Sequence, residues 1–250
     1  MKAMILAAGL GTRLRPLTDD RPKALVEVGG RTLLEITLAR LREFGIQEVI
    51  VNVHHFADMV VDYLNASKNF GMRIEISREQ ELLDTGGGLK KASWFFLQDS
   101  ITSLESPFIV HNVDVISTID LKRMLQFHKD SAALATLAVQ ERETSRYLLF
   151  DEQNELCGRR AGRDGAPEMV RTSPKTKALA FAGIHVISPP LLSMLTEQGV
   201  FPIIPSYLRL AGSGEKIGAF RADDYYWRDL GNRENLAQAE RDVEQGIVQL

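Results

Sequence analysis

The first 140 residues alternate between short unbroken apolar runs and stretches whose apolar positions recur every three or four residues. Lys2–Leu6 is a run of the first kind, while Leu34, Leu38 and Leu41 in TLLEITLARLREFG recur at helical spacing before Gly45, a natural stop. EVIVNV at 48–53 supplies a second strand. A helix over 59–64, a strand over 72–76, a strand in PFIVHNVD at 107–114, a helix over 121–128 and a strand over 133–139 continue the alternation. Apolar runs joined by helices predict an α/β fold whose mostly parallel sheet carries helices on both faces.

Beyond residue 140 the rhythm changes. RYLLFD and ELCGRR read as the arms of a small β-hairpin turning at 152–154, and GRDGAP at 162–167 is a flexible excursion. LAFAGIHVI at 179–187 resumes a strand, Pro189 and Pro190 can open the next helix, and NRENLAQAERDVEQG reads as a terminal helix. No repeat or low-complexity linker divides the chain, so 1–250 is read as a single domain.

Composition narrows the function classes. With 44% apolar and 25% charged residues the chain has the balance of an ordinary globular protein, and a net charge of -3 with scattered basic residues argues against a nucleic-acid partner. A single cysteine, Cys157, fits a reducing cytoplasm. The apolar run at 3–8 is shorter than the ~7–15 residues of a signal peptide, and Arg13 and Arg15 follow it. Nothing approaches the ~20 apolar residues of a membrane span. A cytoplasmic protein without membrane attachment is expected; the oligomeric state is left open.

The candidate chemistry begins in LAAGLGTRLRP, residues 6–16. Gly9 and Gly11 follow the first strand at the edge where α/β sheets bind ligands, and glycine lets peptide N–H groups converge on phosphate oxygens. Arg13, Arg15 and Lys23 add charge suited to a polyphosphate. A dinucleotide GxGxxG would need glycine at Leu14, and GxxxxGK[ST] is absent. The plainer alternative is a tight strand-to-helix turn with solvated arginines. Asp114 closes FIVHNVD and Asp229 lies in YYWRDLG, each before a change of element. Both could be helix caps or strand-end turns, or could ligate Mg²⁺, which usually takes one or two carboxylates and completes its shell with phosphate and water.

LAAGLGTRLRPLTDDRPKALVEVGG, residues 6–30, resembles the signature of the sugar-1-phosphate nucleotidyltransferases, and ELLDTGGGL at 81–89 resembles that family's ExxLxTGG segment. The resemblance implies a Rossmann-like fold, a nucleotide-binding half over about 1–120 and a sugar-phosphate-binding half over about 121–250. It implies that Leu6, Ala7, Ala8, Gly9, Gly11 and Thr12 meet the nucleoside triphosphate, that Arg13 and Lys23 act on its phosphates, and that Glu81, Thr85, Gly86 and Gly87 border base and ribose. Asp114 and Asp229 would hold Mg²⁺. The implied reaction is attack of a sugar 1-phosphate on the α-phosphorus of the triphosphate, releasing pyrophosphate. A phosphate monoester ionises near pH ~6, so no general base is required.

The chain departs from the family pattern in two places. Asn112-Val113-Asp114 stands where the family commonly has glycine before the aspartate, and the Glu-Lys-Pro segment whose lysine holds the sugar phosphate is absent. Lys175, Lys177 and Arg146 are candidate substitutes, with Asn112 beside them, and Gly183 in FAGI resembles a glycine against which the sugar lies. A glycine that merely packs a core strand is the alternative there. His54, His55, His111 and His185 are read as structural or sugar-facing. The TGGG form and the chain length resemble N-acetylmuramate-1-phosphate uridylyltransferases and mannose-1-phosphate guanylyltransferases, which leaves uracil and guanine both open. A binding regulator without turnover and a phosphocholine cytidylyltransferase are the competing readings.

Overall fold

Ten strands form one sheet in a computed structural model that describes residues 1–98 and 106–250. In chain order they are β1 (Lys2–Leu6), β2 (Glu48–Val53), β3 (Arg73–Arg78), β4 (Phe108–Asn112), β5 (Ala135–Gln140), β6 (Arg146–Phe150), β7 (Leu156–Ala161), β8 (Pro167–Met169), β9 (Lys177–Ile187) and β10 (Ile217–Arg221). The sheet runs β8-β7-β6-β9-β4-β1-β2-β3, with β5 on β9 and β10 on β5. The strands β3, β2, β1 and β4 are mutually parallel, and β9 reverses direction beside β4. Following the pairings outward, only β7 and β9 run against the other eight.

The parallel strands are apolar because both faces are covered. One face packs Leu34, Leu38 and Leu41 of the helix Leu33–Glu43 with Val60, Leu121 and Met124. The other packs Phe95, Phe96, Leu191, Tyr207 and Leu208. Helix starts follow local chemistry. Thr32 accepts from the Glu35 amide at 3.1 Å, Asp120 from Lys122 and Arg123, and Asn232 from Asn235 at 2.9 Å, each satisfying an orphan donor of a first turn.

The alternation, the hairpin of β6 and β7, and the terminal helix Arg233–Glu244 follow the sequence expectation; β8, just beyond GRDGAP, extends the hairpin to three strands. The helix after Pro189 is only the four residues Pro190–Ser193. Two further helices lacked a readable pattern. Asp84–Lys91 holds three consecutive glycines, poor helix formers, and Ile203–Gly212 begins beside Pro202 with Pro205 in its first turn. A two-stranded ribbon pairs Val115–Ser117 with Trp227–Asp229 at the carboxyl edge of β4 and joins segments far apart in the chain.

Candidate active site

The glycine-rich turn leaves β1 beside that edge. Gly11 takes φ 66° and starts a single 3₁₀ turn, Thr12–Leu14, and Thr18 Oγ1 donates to the Gly11 carbonyl at 2.8 Å. Arg13 and Thr12 project to the exposed surface, while Ala7 and Ala8 are buried. A side-chain amide beneath the turn sets its course. Asn52, fully buried at the end of EVIVNV, accepts from the amides of Ala7 and Ala8 at 3.2 Å each and donates to Glu79 Oε1. Glu79 Oε2 in turn accepts from the Leu83 amide at 2.9 Å, just before the TGGG helix. Burial pushes the Glu79 carboxyl above the usual carboxylate range. The sequence reading passed over both residues, although a polar residue inside an apolar strand was a signal for Asn52.

An ion pair and a second acid lie above the turn. Lys23, its side chain 10% exposed, forms an ion pair with Asp114. The Asp114 carbonyl accepts from the Leu230 amide at 2.7 Å, and Asp229 pairs with Val115 in the ribbon, so the two acids neighbour each other despite 115 residues of separation. Asp229 Oδ1 accepts from the Gly231 amide at 2.5 Å. A Cβ on Gly231 would come within 2.6 Å of both Asp229 Oδ1 and the Arg13 guanidinium, so the arginine and the acid flank the same glycine. Val113, in place of the family's glycine, is buried and donates its amide to the Leu6 carbonyl at 3.1 Å.

Among the described residues no group of three or more His, Cys, Asp or Glu is placed to hold a metal. Two neighbouring carboxylates are nonetheless a donor set that suits a hard, oxygen-seeking cation sharing its shell with substrate phosphates and water.

The second motif lies on the helix Asp84–Lys91, with Glu81 exposed ahead of it. The Gly86 and Gly87 amides donate to the Phe201 carbonyl at 2.9 and 3.1 Å, and Thr85 Oγ1 accepts from Ile203 at 3.0 Å. A methyl on Gly86 would collide with Phe201, and one on Gly88 would come within 2.8 Å of Asn52 and Glu79. Here the glycines permit close packing, and these two helix amides are engaged within the protein.

A cavity of about 830 Å³ opens between the ribbon and the β6–β7 hairpin and is bordered by Arg13, Asp229, Asn112, Gly183 and Arg146. Gly183, at φ 75°, lies so close to the Asn112 amide that a Cβ would approach it to 2.9 Å. Asn112 Oδ1 is buried without a hydrogen-bond partner. The wall also includes Arg142, Arg160 and Trp227, which the sequence reading did not single out. Arg142 stacks 3.7 Å over the Trp227 ring and donates to the Phe181 carbonyl at 2.9 Å. Lys175 and Lys177 are exposed and do not border the cavity; Lys175 faces Glu152 at 3.4 Å.

Among the described residues no histidine borders the cavity. Burial holds His111 down to about 4 and His185 to about 3, and His185 Nδ1 meets the Tyr207 hydroxyl at 2.8 Å. His54 Nδ1 lies 3.1 Å from the Glu79 carbonyl, and His55 lies against Phe56.

A family model described as nucleotidyl transferase matches residues 2–154. The chain is 35% identical over 247 residues to the N-acetylmuramate alpha-1-phosphate uridylyltransferase of Caulobacter vibrioides, covering 95% of each. It is 28% identical to the UTP–glucose-1-phosphate uridylyltransferase of Synechocystis, with 97% of this chain and 63% of that one covered. It is 32% identical to the mannose-1-phosphate guanyltransferase of Aspergillus fumigatus, with 92% and 61% covered. It therefore spans nearly all of the Caulobacter relative and under two thirds of the other two. Among solved structures, HddC from Yersinia pseudotuberculosis complexed with GMP-PN superposes with a TM-score of 0.76 at 23% identity over 97% of this chain and 99% of that one. UDP-glucose pyrophosphorylase complexed with UDP-glucose gives 0.77 at 18% identity over 98% of each. At these identities the likeness is one of fold. No described helix is long and apolar enough to cross a membrane.

Proposed function

The chain belongs to the sugar-1-phosphate nucleotidyltransferases, and from that premise we propose that it joins the nucleoside monophosphate of UTP or GTP to a sugar 1-phosphate with Mg²⁺. The observation that carries this reading is the ion pair of Lys23 with Asp114 beside Asp229, with Arg13 next to Gly231, all above the glycine turn.

The turn receives the triphosphate, and Arg13 and Lys23 offset the repulsion between two anionic reactants. An oxygen of the sugar 1-phosphate bonds to the α-phosphorus as the bond to the bridging oxygen breaks, and pyrophosphate leaves with that electron pair. The nucleophile is already ionised near neutral pH, so no side chain has to take a proton. Asp114 and Asp229 are the residues that would hold Mg²⁺. The cation, when bound, supplies charge neutralisation on the transferring phosphoryl group. Asn112, Arg142 and Arg146 receive the sugar phosphate, with Gly183 leaving room for it. Among sugars, N-acetylmuramate 1-phosphate is the first candidate, because the Caulobacter relative carries that name.

Pyrophosphate release tests this reading: the protein with Mg²⁺, each of UTP, GTP, ATP, CTP and dTTP, and a panel of sugar 1-phosphates. Release with UTP or GTP and one sugar supports it. No release with any pair contradicts it.

A further inference from the structure

Eight buried side-chain polar atoms have no partner among the described residues, and three belong to residues bordering this one cavity: Asn112 Oδ1, Arg142 Nε and Arg160 Nε. An unpartnered buried polar group costs about 1–3 kcal/mol, so their grouping marks a site shaped for a polar ligand. The cavity also holds more cations than one phosphate needs. Arg159 is neutralised by Glu168 at 2.6 Å, and Arg13 sits on the nucleotide side, where it and Asp229 flank Gly231. Among the described residues Arg142, Arg146 and Arg160 have no carboxylate within ion-pair distance.

Arg142 and Arg160 occupy different places. Arg142 lies on Trp227, two residues from Asp229, and feels that acid's charge. It therefore stands on the reacting side. Arg160 lies on β7, over the Tyr147 ring at 5.5 Å. Three strand spacings separate β7 from β4, about 14 Å across the sheet. A sugar ring with its phosphate toward Asn112 and Arg142 and a short acidic arm toward Arg160 spans that interval once the side chains reach inward. A guanidinium held on an aromatic face loses little freedom on meeting a planar carboxylate, which it can bind through two donors.

We propose that Arg160 forms a second anion subsite, which selects sugar 1-phosphates bearing a carboxylate on a short arm. The inference rests on the cavity being the sugar-phosphate site. Arg142 serves the 1-phosphate of any such substrate, and Arg160 distinguishes acidic from neutral sugars.

The test compares kcat/KM for two N-acetylhexosamine 1-phosphates, one with and one without an ether-linked carboxylate arm, in the parent protein and in Arg160→Gln and Arg160→Lys. The parent should prefer the acidic sugar at least tenfold. Arg160→Gln should bring that preference to within threefold of parity, chiefly by raising KM for the acidic sugar, and Arg160→Lys should restore part of it. A parent that uses both sugars equally, or a preference that survives Arg160→Gln, overturns the subsite while leaving nucleotidyl transfer intact. No turnover of either sugar while another sugar 1-phosphate of the panel is used overturns the subsite alone, and no release with any pair overturns the proposed function and the subsite with it.

Discussion

The two sides of the proposed active site, nucleotide and sugar, treat their charges in opposite ways. On the nucleotide side the polar groups are met from within: Lys23 by Asp114, the Asp229 carboxylate by the Gly231 amide, and the turn beneath them by the buried Asn52–Glu79 bridge. On the sugar side Arg142 and Arg160 rest on aromatic rings and Asn112 keeps a buried oxygen without a partner. The first arrangement is preorganised around a reaction that concentrates negative charge in one place. The second stores unmet hydrogen-bonding capacity, which discriminates among ligands because the wrong one leaves it unmet.

Breaking the nucleotide side should have the larger effect. Asp114→Asn is expected to keep the fold and lower kcat by on the order of 10²-fold or more, since it removes the charge that faces Lys23 and would ligate Mg²⁺. Pyrophosphate release at saturating substrates measures it, and full activity would place the chemistry elsewhere.

The bridge beneath the turn comes next. Asn52→Ala strips an acceptor from the Ala7 and Ala8 amides and a donor from Glu79. A loss of roughly 1–3 kcal/mol in stability should appear as a Tm lower by several degrees. The KM for the triphosphate should rise more than that for the sugar phosphate. Equal rises in both would mean that the bridge supports the whole site rather than one side.

The smallest expected effect probes the join between the two sides, where β4 meets β9. His111 and His185 sit there with values of about 4 and about 3 against an ordinary 6.5, and His128 is held to about 4 by burial as well. Between roughly pH 6.5 and 4 the unfolded chain binds more protons than the folded one, so stability falls as pH drops through that window. Denaturation midpoints at pH 7.5 and 5 should differ in that direction, and His185→Gln should flatten the difference. A slope of opposite sign would show that other groups dominate.

The parallel half of the sheet could be read from the sequence because local pattern and tertiary role agree there: an apolar run buried on both faces looks the same in either description. The TGGG helix could not. Three glycines oppose a helix locally, and only the close approach of Phe201, Gly199 and Asn52 explains them. Arg13, Lys23, Asp114 and Asp229 were visible as residue types at strand ends, and the structure brings them together. Arg142 and Arg160 were not visible, because an arginine in a polar stretch looks solvated until the rings beneath it, Trp227 and Tyr147, are folded into place. Asn52 and Glu79 were missed for a related reason: their value lies in what they hold, three segments separated in the chain, and spacing does not reveal that.

In the proposed reaction Asp114 and Asp229 serve one transfer step. A double-mutant cycle on pyrophosphate release addresses it most directly, using Asp114→Asn, Asp229→Asn and both together. If the two acids act as a unit, the double variant will be no slower than the slower single variant, within about threefold. If the two losses multiply, the carboxylates act independently and the shared site described here is wrong.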